Sequence, residues 1–203
     1  LNISVSIYQV LSNKSSTKLL NNYEKKYFRE FIELYEKIPK SLIFNVNSIN
    51  DPETIKLVKD LDVDVICFLG GEIAKTEIIK SAKIASLNFH SGISPFYNGS
   101  STILWAAANK RPNFCGGTLM HINSDIDGGP ILYHYLPSIE ENDNAISLYM
   151  KNFSGAVKLY NIALNKLENG EKLQGVLQKR SIGYFMDADW TIFQEIKLKY
   201  IIS

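Results

Sequence analysis

Two apolar runs near the middle of the chain, Gly117 to Ile122 and Ile131 to Tyr135, lie too close together for a crossover connection. Both have the length and residue types of strands. Parallel neighbours need a dozen or more connecting residues, so these two must pair antiparallel, with Asn123 to Gly129 as their hairpin loop. Upstream, Ile84 to Leu87 is a further short strand-like run, ending at the polar Asn88 and His90. These two are two residues apart and share a face if the strand continues. Ser91, Gly92 and Pro95 then break it into a loop. Ser100 to Asn109 reads as a helix with Ile103, Leu104, Ala107 and Ala108 inward and Ser100 or Ser101 as N-cap. The link from Leu87 to Gly117 is long enough for a helical crossover, so a parallel relation between those strands is expected. On that topology both loops leave the same carboxyl edge, where open α/β sheets bind ligands. Asn88, His90 and Asp127 then meet although they are far apart in sequence.

The flanking sequence alternates strand and helix patterns. Leu1 to Val10 reads as a strand, and Asn22 to Ile38 as an amphipathic helix stopped by Pro39. Leu42 to Val46 is the next strand. Asp51-Pro52 marks a helix start, with Asp at the cap and Pro in the first turn, running to about Leu61. Val63 to Leu69 is nearly all apolar, as for a strand covered on both faces. Ala74 to Ala82 reads as a helix. Beyond the hairpin, Asp143 or Asn144 caps a long helix to about Glu168, ended by Gly170. Leu148, Val157, Leu159, Tyr160, Ala163, Leu164 and Leu167 are its expected packing residues. Val176 to Tyr184 fits extended chain, Asp187 and Asp189 a solvated turn, and Trp190 to Ile202 a terminal helix. The expected fold is α/β and Rossmann-like: a mostly parallel twisted sheet flanked by helices, with a C-terminal antiparallel hairpin.

Length and composition bound the options. The 203 residues are within the range of one domain, and a hydrophobic share of 45% supports a sizeable core. A net charge of +1 gives no broad electrostatic reason to expect a nucleic-acid partner. Cys67 and Cys115 have no paired spacing, which favours a reducing, cytoplasmic setting. No run approaches the length of a membrane helix. The three histidines have no ligand spacing, so no metal site is expected. His121 and His134 alternate with apolar residues on their strands and read as structural or exposed.

An amide, an imidazole and a carboxylate at one sheet edge suit acyl transfer to an amine. Asn88 can donate to a developing oxyanion. His90 can donate a second hydrogen bond or shuttle a proton. Asp127 can take the amine proton or fix the His90 tautomer. No serine or cysteine nucleophile is required if the acyl donor is already activated. Asp127 also reads as a turn residue before Gly128 and Gly129, and both roles can hold together. Gly70-Gly71-Glu72 reads equally as a plain strand-to-helix turn or as a loop allowing close backbone approach.

Asn88-x-His90, Pro95-x-Tyr97-x-Gly99, Trp105, Gly117-Thr118 and Asp127-Gly128-Gly129 together resemble the signature of the 10-formyltetrahydrofolate-dependent formyltransferases. The family includes glycinamide ribonucleotide, methionyl-tRNA and sugar-nucleotide formyltransferases. The resemblance implies Asn88, His90 and Asp127 as catalytic residues and 10-formyltetrahydrofolate as formyl donor. It places Leu69, Gly70, Gly71, Glu72 and Ile73 along the pterin pocket, with Asn123 and Asp125 also on the cofactor, and Tyr97, Asn98 and Trp105 toward the acceptor. The family often has Arg where Asn98 stands. Lys110 and Arg111 are candidate diphosphate contacts, with plain surface charge as the alternative. The loop with Tyr97 and the Trp105 helix look most similar to the sugar-nucleotide branch. A nucleotide-linked amino-sugar for surface polysaccharide synthesis is therefore the expected acceptor. The alternatives are a glycinamide ribonucleotide-type enzyme, a formyltetrahydrofolate hydrolase on the same fold, and a non-catalytic module that kept the motif. Residues 1–172 are expected to form the catalytic domain, short of about one upstream βα unit. Residues 173–203 are expected as a C-terminal extension, packed on that domain or at a contact of a homodimer.

Overall fold

The computed structural model describes residues 6–9 and 37–201. Most of the expected helix Asn22 to Ile38 lies outside them. The chain divides into two units: Leu1–Ile66 with Gly71–Ile84, and Cys67–Gly70 with Ala85–Ser203.

In the first unit, strands β1 (Ser6–Gln9) and β2 (Ile43–Val46) pair in parallel, Ser6 opposite Ile43 and Gln9 opposite Val46. Helix α1 (Pro52–Asp60) starts at Pro52, whose fixed φ suits the first turn. Asp51 is extended, but its side chain makes no cap bond. The turn is tied instead by the Thr54 hydroxyl, which donates to the Ser48 carbonyl at 2.9 Å. Strand β3 (Val65–Leu69) begins in this unit and passes into the second. It leaves Cys67 and Leu69 exposed, so the expectation of a strand covered on both faces does not hold. Helix α2 is one turn, Thr76–Ile79, shorter than the expected Ala74 to Ala82. Beyond it, Lys83 N–H and Ile84 N–H donate to the carbonyls of Val63 and Asp64.

The second unit holds the sheet order β3-β4-β6-β7, from β4 (Ala85–His90), β6 (Gly117–His121) and β7 (Ile131–Tyr135). β6 and β7 form the expected antiparallel hairpin, with an irregularity at Leu119/Met120. The β4–β6 relation corrects the sequence reading. It is antiparallel, with Leu87 opposite His121 and His90 opposite Thr118. Length permits a crossover but does not require one. The chain from β4 to β6 instead passes through a two-residue strand β5 (Asn98–Gly99) and a helix α3 (Thr102–Ala108), and returns against β4 in the opposite direction. The α/β, Rossmann-like class stands, with parallel and antiparallel pairs in its sheets.

The two faces of β4 differ. Leu87, Phe89 and Leu119 face the long helix α4 (Ala145–Glu168), where a Cβ on Gly117 would lie 2.1 Å from the Phe89 ring and 2.7 Å from Asn152 Oδ1. The start of α4 is capped as expected. Ser147 N–H donates to Asn144 Oδ1 at 3.0 Å, and the Ser147 hydroxyl donates to Asp143 at 2.7 Å. Gly170 takes the left-handed conformation beyond its end, φ 77°. Leu148, Leu159 and Ala163 are buried, but Val157, expected inward, is 38% exposed. The Tyr160 hydroxyl donates to the Phe68 carbonyl.

The extension packs within the second unit. Val176 forms a two-bond bridge with Ile131. Strand β8 (Tyr184–Phe185) pairs with β5, and Asp187–Asp189 form a short turn before helix α5 (Ile192–Ile201).

Gly155 of α4 sits on the Tyr135 ring, where a Cβ would come within 2.1 Å of Cδ1. Gly155→Ala is expected to destabilise the protein by about 1–3 kcal/mol through overpacking, despite alanine's better helix propensity. A urea melt with an unchanged or rising midpoint would contradict this contact.

Candidate active site

Asn88 and His90 project from the β4 face opposite α4, the face they share with Met120 and Thr118. The His90 ring is 7% exposed and held at both nitrogens. Nε2 lies 2.7 Å from the Tyr97 carbonyl, so Nε2 carries hydrogen. Nδ1 lies 3.3 Å from Asp127 Oδ1. That contact is favourable when a proton sits between the two, on the imidazolium or on the acid.

Room for this ring depends on Gly92. A Cβ there would lie 2.4 Å from His90 Nε2 and 2.3 Å from the Tyr97 oxygen. The loop is pinned to the sheet by Thr118, whose hydroxyl donates to the Gly92 carbonyl at 2.6 Å and accepts from Ser94 N–H at 3.0 Å. Thr102 at the start of α3 donates to the Ser91 carbonyl.

Asp127 reaches His90 by a route that the sequence did not reveal. Because β6 runs against β4, its loop starts at the amino end of β4, where Ile122 N–H donates to the Ser86 carbonyl at 3.0 Å. From Ser86 to His90 is roughly 13 Å along a strand. The loop folds back over the sheet face to cover that distance, rather than leaving a common carboxyl edge. Asp127 sits at φ 50°, a left-handed conformation that Asp tolerates better than most residues. Its Oδ2 accepts from Gly99 N–H at 2.9 Å, and its carbonyl accepts from Asn98 Nδ2 at 3.2 Å. Asp125, two residues earlier, is exposed, and its N–H donates to Asn123 Oδ1 at 3.0 Å in a local turn. Asn123 and Asp125 thus shape the loop that carries Asp127.

Asn88 is half-buried, and among the described residues its side-chain amide has no hydrogen-bond partner. It is the member of the three whose donor is open to a ligand. His90 has both ring nitrogens engaged, one by the Tyr97 carbonyl and one by Asp127.

The other expected residues fall in different places. Asn98 is almost fully buried and braces Asp127 rather than facing outward. Tyr97 uses its backbone for His90, while its ring stacks on Phe185 at 4.8 Å. The ring also borders a cleft of about 390 Å³, lined by Phe96, Tyr97, Asn109, Arg111, Ile182, Gly183 and Phe185. Trp105 is 6% exposed and packs on Phe185 and Trp190 at 5.2 and 4.9 Å. It shapes this region from beneath instead of lining it. Leu69 and Gly70 close the second unit's β3 segment. Gly71, Glu72 and Ile73 belong to the first unit. Gly70 and Gly71 have φ of 68° and 95°, which glycine adopts without strain. Glu72 accepts from the Ser48 hydroxyl and the Ile73 carbonyl from Asn50 Nδ2, a network for which Ser48 and Asn50 gave no sequence signal. His121 and His134 bind the carbonyls of Leu173 and Ser94, as structural histidines. Burial pushes the Cys115 thiol up to about 12. Among the described residues no cluster of His, Cys, Asp or Glu is arranged to hold a metal ion.

Residues 1–164 match the family described as Formyl transferase. The bifunctional polymyxin resistance protein ArnA of Wigglesworthia glossinidia brevipalpis is 32% identical over 148 residues, covering 72% of this chain and 21% of its own length. The methionyl-tRNA formyltransferase of Trichodesmium erythraeum is 32% identical over 99 residues, covering 48% and 29%. The chain therefore spans less than a third of either curated relative. Among solved structures, the formyltransferase PseJ of Anoxybacillus kamchatkensis superposes with a TM-score of 0.62 at 22% identity, over 90% of this chain and 86% of that one. That crystal holds UDP-4,6-dideoxy-4-formamido-L-AltNAc and tetrahydrofolate.

Gly92→Ala is expected to push the imidazole off the Tyr97 carbonyl while the sheet remains folded. The His90 ring ¹⁵N resonances report this directly. Unchanged ring signals in a folded variant would show that Gly92 does not set the His90 geometry.

Proposed function

The chain belongs to the formyl transferase family, and from that premise we propose that it moves the formyl group of 10-formyltetrahydrofolate to the primary amine of a nucleotide-linked amino-sugar. The observation that carries this reading is the convergence of an open Asn88 amide with His90 and Asp127, whose Nδ1 and Oδ1 lie 3.3 Å apart. The neutral amine attacks the formyl carbon and forms the new C–N bond. The formyl oxygen gains negative charge and takes a hydrogen bond from Asn88. A well-aimed donor of this kind is worth about 3–4 kcal/mol of barrier. The amine proton passes to the His90–Asp127 pair. The bond from the formyl carbon to N10 of the folate then breaks, and N10 receives a proton from the same pair. No covalent enzyme intermediate is needed.

The donor's pterin is assigned to the backbone of Leu69 to Ile73, where two consecutive positive-φ glycines keep the main chain free of Cβ atoms. Asn123 and Asp125 remain assigned to the donor through the loop they shape. For the acceptor, the cleft beside Tyr97 offers aromatic rings, the Asn109 amide and the Arg111 guanidinium, a combination that suits a nucleotide. The formamido sugar and folate bound to PseJ support the same acceptor class. Surface polysaccharide synthesis in the cytoplasm is the process that this acceptor would serve. A methionyl-tRNA acceptor, as in the second relative's name, finds no support in a net charge of +1.

A mass-spectrometric screen with 10-formyltetrahydrofolate tests the acceptor against amino-sugar nucleotides, glycinamide ribonucleotide, methionyl-tRNA and water alone. Formylation of an amino-sugar nucleotide is expected. Formate release with water alone would replace transfer by hydrolysis. Asn88→Ala is expected to lower kcat about 10²–10³-fold, and His90→Ala or Asp127→Asn about 10²–10⁴-fold, with the fold retained. Near-normal rates in any two of these variants would refute the assignment. Arg111→Ala is expected to raise the acceptor's KM about tenfold with little change in kcat, the sign of a contact made equally in ground and transition states. An unchanged KM would remove the cleft from the acceptor's path.

A further inference from the structure

Gln178 lies beyond residues 1–164, the part of the chain that matches the family. Its segment has no motif. Yet its side-chain amide reaches under the loop that carries Asp127. Nε2 donates to the Asp127 carbonyl at 2.8 Å and to the Gly129 carbonyl at 2.7 Å, and lies 3.9 Å from Met120 Sδ on the sheet face below. Two carbonyl acceptors on one nitrogen fix which end of the amide is NH2. Oε1 points the other way, buried and without a hydrogen-bond partner among the described residues.

We propose that Gln178 is a positioning residue for the reaction: it holds the Asp127 backbone in its left-handed conformation and so sets the carboxylate against His90 and Gly99. The inference rests on the reading of Asp127 as a reacting group. Three observations support it. Asp127 is a non-glycine residue at φ 50°, a conformation that persists only where its surroundings hold it. The Gly129 backbone is jammed against His121, where a Cβ would lie 1.7 Å from the His121 oxygen. A donor that bridges Asp127 and Gly129 therefore ties the carboxylate's backbone to a closely packed point of the hairpin. The Asp127 carbonyl also accepts from Asn98 Nδ2, but at 3.2 Å the longer of the two bonds. Val176, two residues before Gln178, is fixed to Ile131 by reciprocal 2.8 Å backbone bonds, so the extension delivers the amide from an anchored strand.

Gln178→Met keeps length and bulk but removes the donor. It also removes the unpaired Oε1, which limits the loss of stability. The Gly99 amide, which donates to Asp127 Oδ2 at 2.9 Å, is the reporter. In Gln178→Met its ¹H–¹⁵N resonance is expected to move upfield in ¹H and its hydrogen exchange to rise at least tenfold. The rate of formyl transfer to the acceptor found in the screen is expected to fall ten- to a hundredfold in kcat, with KM within twofold. Gln178→Lys, which restores a donor at similar reach, is expected to recover most of both signals. Gln178→Ala is the second donor-free variant should the methionine fail to fold. An unchanged Gly99 amide in a folded donor-free variant overturns the proposal, as does a shifted amide with kcat intact. Asp127→Asn separates the two readings. Full activity in that variant removes Asp127 from the chemistry, while the Gly99 amide in Gln178→Met still reports whether Gln178 sets the loop.

Discussion

The carboxylate of Asp127 is the joint on which the site depends. One oxygen meets the His90 ring and the other takes the Gly99 N–H, so a single side chain ties the hairpin loop to the end of β4 and to the loop leading into α3. None of these contacts is strong alone, since a hydrogen bond to a charged group contributes about 1.5–3 kcal/mol. Their value lies in mutual constraint. His90 cannot turn, because the Tyr97 carbonyl holds its other nitrogen and Gly92 leaves no slack behind it. The carboxylate cannot swing freely while its own carbonyl is gripped by Asn98 and Gln178. A preorganised pair of this kind does not have to reorganise as charge develops, which is the main electrostatic advantage of an enzyme site over water.

Much of this was readable in the sequence, for physical reasons that vary from residue to residue. The β6–β7 hairpin had to be antiparallel because the chain between its strands is short. Asn88 and His90 had to share a face because strands alternate. The capped and glycine-ended helix α4 followed from Asn144 and Gly170, whose side chain and φ did what such residues usually do. The β4–β6 direction was not readable in this way. A long link permits either direction, and the bonds of Thr118 and Thr102 to the intervening loop that accompany the antiparallel pairing are tertiary contacts, which no local pattern announces.

The acceptor side shows the limit more sharply. Asn98 and Trp105 stand where a family resemblance points toward a substrate, and both are occupied by the protein itself. Asn98 became a brace once Asp127 arrived from the far loop, and Trp105 was enclosed once Phe185 and Trp190 came in from the extension. Gln178 is the converse case. A glutamine followed by Lys179 and Arg180 reads as a surface residue until the loop it supports is in place.

The folded-back course of the 122–129 loop makes the candidate site a measured span. Its start is fixed beside Ser86 and its carboxylate is delivered beside His90, so the loop acts as a gauge laid along four residues of strand. Adding or removing one residue of β4 between Ser86 and His90 moves that end of the strand by about 3.3 Å and turns the ring to the opposite face of the sheet, away from the carboxylate. Length itself, counted in residues, is therefore under the same chemical constraint as the identity of the three side chains.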